Sequence, residues 1–285
     1  MANLKEIRNR ISSVSSTMQI TSAMKMVSAA KLKKAQDAIV AMRPYADKLS
    51  FLLAGLGQNL EEGTENVYAE KRATKKVLLV AISSNRGLCG AFNTNVIKAV
   101  KAASESYGKE VSVEVLTIGK KAADGLKAAT RAGDHSSIYD DLTFDNVAEI
   151  AQMLMDKFVT GEFDKIEIVY NKFKNAATQI VMTEQFLPIV PIQQDENVNL
   201  DYIFEPSKAE IVEELIPKSL KTQLYKGVRD SFASEHGARM TAMHKATDNA
   251  TELRDQLKLT YNKARQAAIT NEILEIVGGA EALNN

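Results

Sequence analysis

The sequence predicts an α/β chain in which a long helix at each end pairs with the other as an antiparallel coiled coil, around an inserted α/β domain. Three observations carry this. Both termini show sustained 3-4 apolar spacing, the central third changes period to strand-like runs, and only five prolines interrupt 285 residues. Apolar residues make up 45% of the chain and charged residues 25%, an ordinary globular composition.

In the N-terminal segment, 1–56, a heptad set from Leu4 runs through 7, 11, 14, 18 and on to 56 without a break, and thirteen of its sixteen positions are apolar. A 3.5-residue period keeps one stripe facing a partner helix. Such a helix would be roughly 80 Å long at 1.5 Å per residue. Pro44 is expected to bend or break it. The polar seam positions Thr21, Lys25 and Ser28 fall together, with apolar Ile20, Met24 and Val27 beside them. That patch is expected to meet something other than the intramolecular partner.

The C-terminal segment, 207–285, has no proline after Pro217. From Met243 the positions 246, 250, 253, 257, 260, 264, 267, 271 and 274 continue a seam that is apolar at eight of ten sites, four of them Ala. Small seam residues let helix axes approach closely. Gly278-Gly279 is expected to fray the end. A parallel homodimer is the alternative pairing. The middle segment must leave and return, which brings the ends of one chain together.

Residues 75–205 read as strands near 77–82, 111–118, 166–170 and 178–186, with helices after the first loop to about 106, over 120–131 and over 144–159. Strands alternating with helices imply a Rossmann-like sheet with helices packed on it. Residues 57–74 read as a linker.

Lys+Arg and Asp+Glu both number 36, which disfavours a nucleic-acid binder for the chain as a whole. Residues 1–50 nevertheless hold nine basic and three acidic residues. That excess is either a solvated helix face or a helix aimed at an acidic surface, with Lys31, Lys33 and Lys34 as candidates. The single cysteine, Cys89, excludes an internal disulfide and reads as a small buried thiol. His135, His236 and His244 are scattered, read as surface residues, and suggest no metal site. The loop 83–93 contains Gly87 and Gly90 but has neither phosphate-loop spacing, so no cofactor is expected. A nucleotide-binding α/β enzyme carrying a coiled coil is the alternative function, and a nucleic-acid adaptor is a weaker one. No catalytic constellation is found. The N-terminus lacks an apolar signal core and no run is long enough to span a bilayer, so a cytoplasmic protein that sits beside a membrane is expected.

Several longer patterns resemble one family. Ile7-x-x-Arg10-Ile11 with Gln19-Ile20-Thr21-x-Ala23-Met24-x-Met26-Val27-Ser28 is similar to the γ subunit of F-type ATP synthases. So are Ser84-x-Arg86-Gly87-Leu88-Cys89-Gly90-x-Phe92-Asn93, the run from Ser234 to Ala250, and Tyr261-Asn262-x-Ala264-Arg265-Gln266-Ala267 continuing to Ala280. The resemblance implies a central-stalk rotor that transmits torque between a membrane c-ring and a catalytic ring of α and β subunits. It implies the ε subunit as a further partner, no catalytic site in this chain, and a place on the cytoplasmic face of a bacterial membrane. By resemblance, Met24, Lys25, Arg239 and Gln266 are expected to contact β, with Thr270, Glu272 and Glu275 packing or coupling nearby. Tyr202, Ile203, Phe204 and Glu205 are expected to meet the c-ring. The lone Cys89 departs from the cysteine-pair regulation of chloroplast members and implies a bacterial type.

Overall fold

The computed structural model describes residues 4–57, 67–108, 110–189 and 208–284. The expected c-ring contact, Tyr202–Glu205, lies outside them. Packing divides the chain into two units. One unit joins Met1–Ser28 to Met240–Asn285, and the other is Ala29–Arg239. Helix α1, Leu4–Gly57, and helix α5, Lys208–Asn284, each run through both.

In the first unit the two helix segments run antiparallel. Arg8 donates to the Tyr261 hydroxyl at 2.7 Å, Thr251 and Arg254 both donate to the Met18 sulfur, and Thr21 shares a 2.8 Å hydrogen bond with Thr247. Lys25 Nζ lies 3.3 Å from His244 Nδ1. As one residue number rises, its partner's falls. The α1 heptad holds, since each of its seam positions from Leu4 to Ser28 is buried or half-buried. The polar positions therefore also meet the intramolecular partner. Thr21 and Ser28 are buried, and Thr21 and Lys25 bond across the seam to α5. Ile20, Met26 and Val27 stay exposed beside them.

The α5 seam is shifted by one residue at alternate positions from the expected one. It runs Met243, Thr247, Ala250, Arg254, Leu257, Tyr261, Ala264 and Ala268, all buried or half-buried, while Leu253, Thr260 and Ala267 are exposed. Arg254 and Tyr261 can lie in a seam because an apolar stem or ring packs while the polar tip finds a donor or acceptor at the edge. Counting apolar residues favours Leu253 over Arg254 and so misses this. Pro44 and Pro217 sit inside their helices without ending them, and α5 continues through Gly278-Gly279 to Asn284.

The second unit holds a five-stranded sheet in the order β3-β2-β1-β4-β5. Strands β1 (Lys76–Ile82), β2 (Ser112–Ile118), β3 (Arg131–Asp134) and β4 (Lys165–Phe173) are parallel, and β5 (Gln179–Leu187) returns antiparallel to β4. β1 alternates faces with period two. Leu78, Val80 and Ile82 pack toward α4 (Phe144–Val159) and toward Leu220, Leu224 and Val228 of α5. Val77, Leu79 and Ala81 pack toward α2 (Phe92–Ser106) and α3 (Lys120–Gly125). All six are fully buried, which is why β1 reads as an unbroken apolar run. Each contributes about 1.5–3 kcal/mol for the larger side chains.

Two differences from expectation have local causes. The helix expected over 120–131 stops at Gly125, where a Cβ would meet Ile97 Cδ1 of α2 at 2.3 Å. The chain then forms β3, a four-residue edge strand containing Gly133 that is too short to show a period. In α4 the Thr143 hydroxyl accepts from the Asn146 backbone N–H, so that helix starts where its cap places it. In α1, Leu32, Ala35, Ile39, Ala46 and Leu49 remain buried on the same heptad.

The shifted seam separates two adjacent-looking leucines. Leu257→Asp buries a charge against α1 and is expected to lower unfolding stability by about 2–3 kcal/mol. Leu253→Asp, at a position 47% exposed, is expected to stay within about 0.5 kcal/mol of wild type. Urea unfolding of the full chain followed by circular dichroism measures both; equal losses would return the seam to Leu253.

Candidate functional site

The candidate contact residues do not form one site. Met24 and Lys25 are half-buried on α1. Gln266, Thr270, Glu272 and Glu275 are exposed on the last turns of α5, with Thr270 donating to the Gln266 carbonyl at 3.0 Å. His244, the partner of Lys25, is 22 residues before Gln266 on the same helix, a rise of roughly 33 Å at 1.5 Å per residue. These are two stations on one helical pair. Beyond Ala268 every described α5 side chain is exposed, and Ile269, Ile273, Leu274, Ile276 and Val277 leave an apolar end uncovered among the described residues. Lys31, Lys33 and Lys34 are exposed on α1.

Arg239 is placed differently from expectation. It is 6% exposed and turned inward. Its Nη1 donates to Glu235 Oε1 at 2.6 Å, and Nη2 donates to the carbonyls of Arg86 at 3.1 Å and Gly87 at 3.2 Å. Nε also reaches the Gly87 carbonyl at 3.3 Å. A guanidinium is a rigid five-donor fork, so one side chain can bind a carboxylate and two carbonyls together. Its donors are thereby used within the chain. The i,i+4 spacing of Glu235 and Arg239 was visible in the sequence, but the loop they reach, some 150 residues earlier, was not.

The loop at the carboxyl end of β1 is filled from within. Ser84 N–H donates to Asn93 Oδ1, Lys120 N–H to Asn85 Oδ1, Ala122 N–H to Ser83 Oγ, and Gly119 N–H to Ser136 Oγ. Gly119 has a φ of +119°, and a Cβ there would lie 2.4 Å from the Ser83 carbonyl oxygen. A phosphate cradle presents free N–H groups to an anion. This loop instead presents the Arg86 and Gly87 carbonyls to a guanidinium, and the N–H groups of Ser84, Gly119, Lys120 and Ala122 are bonded to the chain's own side chains. The arrangement does not favour the nucleotide-enzyme alternative.

Cys89 is 1% exposed, as its reading as a buried thiol requires. Asn93 Nδ2 donates to its sulfur at 3.2 Å. Burial pushes the thiol up, and the Arg239 guanidinium opposes the rise. His236 overturns the surface reading of the histidines. It is 5% exposed, meets the Phe232 ring edge-on at 4.5 Å, and places Nδ1 3.4 Å from Arg239 Nη1. Burial, with Arg239 and Lys31 nearby, lowers its pKa to about 3. Burial raises the Glu235 carboxyl above its ordinary range, and the Arg239 guanidinium opposes the rise.

A neutral imidazole held at about 3 has a defined pH signature. In the unfolded chain it titrates near its ordinary value of about 6.5. As the pH falls between the two values, only the unfolded state takes up the proton, so stability is lost, by at most about 1.4 kcal/mol per pH unit. The stability of wild type minus that of His236→Phe is expected to decline from pH 7 to pH 4 in urea titrations. Parallel profiles for the two proteins would show that the imidazole is not held neutral.

Comparison with known proteins places this architecture. A family model described as ATP synthase matches residues 3–283. The chain is 74% identical over 286 residues to the ATP synthase gamma chain of Flavobacterium psychrophilum, covering 99% of each. It is 66% identical to that of Christiangramia forsetii over the full length of both, and 45% identical to that of Geobacter sp. strain M21 over 99% of each. Among solved structures, a chain of the Euglena gracilis mitochondrial ATP synthase (OSCP, F1 and c-ring) shares the fold with a TM-score of 0.70 at 24% identity, over 98% of this chain and 94% of that one. A chain from the Tetrahymena thermophila central stalk and c-ring aligns with a TM-score of 0.58 over 80% of this chain and 99% of that one. With nearly its whole length matched by these relatives, the chain belongs to the ATP synthase gamma chain family.

Proposed function

We propose that the chain is the central-stalk rotor subunit of an F-type proton-transporting ATP synthase. It carries torque between the membrane c-ring and the catalytic α/β hexamer during synthesis or hydrolysis, and the chemistry belongs to the other subunits. The observation that carries this reading is the antiparallel pairing of the chain's own ends, from Arg8–Tyr261 to Lys25–His244. A shaft must resist twist over its length, and two helices locked along a seam do so better than one.

The same reading assigns the exposed stations. Gln266, Thr270, Glu272 and Glu275, with the apolar end around Ile273 and Ile276, face the interior of the α/β ring. Met24 and Lys25 form a second β-contact station, beside exposed Ile20 and Val27. Coupling is then differential contact, in which each shaft angle stabilises a different β conformation. The ε subunit and the c-ring bind the α/β unit, the c-ring near Tyr202–Glu205. Among the described residues no helix is long and apolar enough to cross a membrane. The chain is held at the cytoplasmic face of the bacterial plasma membrane through its partners.

Affinity purification of the full chain from gently solubilised membranes is expected to bring down α, β, ε and c. Inverted membrane vesicles containing the chain are expected to acidify on ATP addition, and vesicles lacking it are not. Recovery of the chain without α, β and c would sink the rotor reading.

A further inference from the structure

We infer that Arg239 is a positioning residue: with Glu235 it forms a latch that fixes the loop 83–93 to α5, so that twist entering the α/β unit passes to the helix without slip. The inference rests on the rotor reading for its function, and on geometry alone for the latch.

Every bond of the latch lies within one packing unit, Ala29–Arg239, and Arg239 is the last residue of that unit along α5. The helix is therefore gripped at the turn from which it leaves the unit. The grip has two sides. On the helix side, the Glu235 carboxylate, itself buried, fixes the guanidinium at 2.6 Å. On the loop side, the fork binds the consecutive carbonyls of Arg86 and Gly87. Charge-assisted bonds to a planar fork fix direction as well as distance.

The loop is built to be held in this way. Leu88, next to the gripped carbonyls, has a φ of +60° and is exposed. A non-glycine residue there is strained and stays so only where its surroundings over-determine it. On the far side of the loop, the Ser84 hydroxyl donates to the Arg86 carbonyl at 2.6 Å, and Cys89 and Asn93 close the turn. The Arg86 carbonyl thus accepts from both the first strand's end and α5. It is the joint between sheet and helix. One residue before Glu235 on α5, Ser234 donates to the Asn171 carbonyl near the end of β4, a second tie that has no charge. Removing the latch leaves that tie and the apolar packing of Leu220, Leu224 and Val228 in place. The unit is therefore expected to stay folded while the loop opens.

Cys89, the sole cysteine and a buried member of this loop, reports the opening directly. The test pairs Glu235→Gln with Arg239→Met, which removes both charges and leaves neither buried alone. In the purified full chain, the rate of maleimide labelling at Cys89, read by mass spectrometry, is expected to rise roughly ten- to a hundredfold, the range set by loss of charged hydrogen bonds. Arg239→Lys keeps the charge but not the fork, and is expected to fall between wild type and the double variant. In inverted vesicles carrying the assembled complex, the double variant is expected to retain ATP hydrolysis while pumping fewer protons per ATP. A purely structural defect would lower both together.

Labelling at the wild-type rate would overturn the latch. Faster labelling with an unchanged ratio of pumping to hydrolysis would overturn its role in transmission. Failure of the rotor reading is seen separately, as absence of ATP-driven pumping in vesicles that carry the unmutated chain.

Discussion

The constraint on which the structure depends is that residues 4–28 and 243–268, more than two hundred positions apart in the chain, must lie side by side along one narrow seam. Closing so long a loop is entropically unfavourable, though the cost rises only with the logarithm of its length. The α/β unit lowers it by folding the intervening chain into a compact body from which both helices continue. What the seam itself must supply is register. Apolar contact alone is non-directional and would let one helix slide past the other. Here the register is set by polar contacts placed among small residues. Thr21 meets Thr247, Lys25 meets His244, and the Met18 sulfur accepts from both Thr251 and Arg254. A one-residue slip would break the Thr21–Thr247 bond, leaving the Thr21 hydroxyl only the Met18 carbonyl of its own helix, and would part the other polar contacts of the seam with it.

The α/β unit shows a second use of polar groups. A parallel sheet with helices on both faces leaves a crevice at the carboxyl end of its strands, where such folds ordinarily take a ligand. In this chain the crevice is occupied by Asn85, Asn93, Ser83, Ser136 and Arg239, each bonded to backbone. The architecture that could hold a nucleotide has become a joint between strand, loop and helix. Cys89 is buried in that joint for the same reason, as a small side chain with a weak acceptor sulfur that Asn93 can use.

Much of this was legible in the sequence. The α1 heptad was legible because its seam is filled by Leu, Ile and Ala; so were β1, as a short unbroken apolar run, and α4, whose helical period is clear. The α5 seam was misread by one residue at 254, 261 and 268, because the side chains that bury there include Arg254 and Tyr261, amphipathic residues that apolarity scores as surface. β3 was hidden because four residues at a sheet edge carry no period. The burial of Arg239 and His236 was hidden for a different reason. Arg239 is held by a loop brought in from residue 86, His236 packs on Phe232 and Arg239, and a buried polar residue cannot be told from an exposed one by its own neighbours in sequence. The persistence of helix through Gly278-Gly279 also runs against local propensity, where each glycine costs about 1 kcal/mol relative to alanine.

That costly end is the part of α5 whose described side chains are all exposed. Its exposed residues are mostly apolar, Ile269, Ile273, Leu274, Ile276 and Val277, with Glu272 and Glu275 between them. The contrast with the seam has a physical logic on the rotor reading. Inside the shaft, hydrogen bonds with fixed geometry are an advantage, since nothing there should move. Where the shaft meets the surrounding ring, a strong directional bond would trap one angle and slow every turn. Apolar contact of similar area at each angle lets the shaft pass from one position to the next over low barriers, because it has no preferred direction. A few exposed polar residues, Gln266, Thr270 and the two glutamates, can then mark particular angles without locking them. Surface ion pairs and hydrogen bonds of that kind are worth about 0–1 kcal/mol each, enough to bias a conformation and too little to hold it.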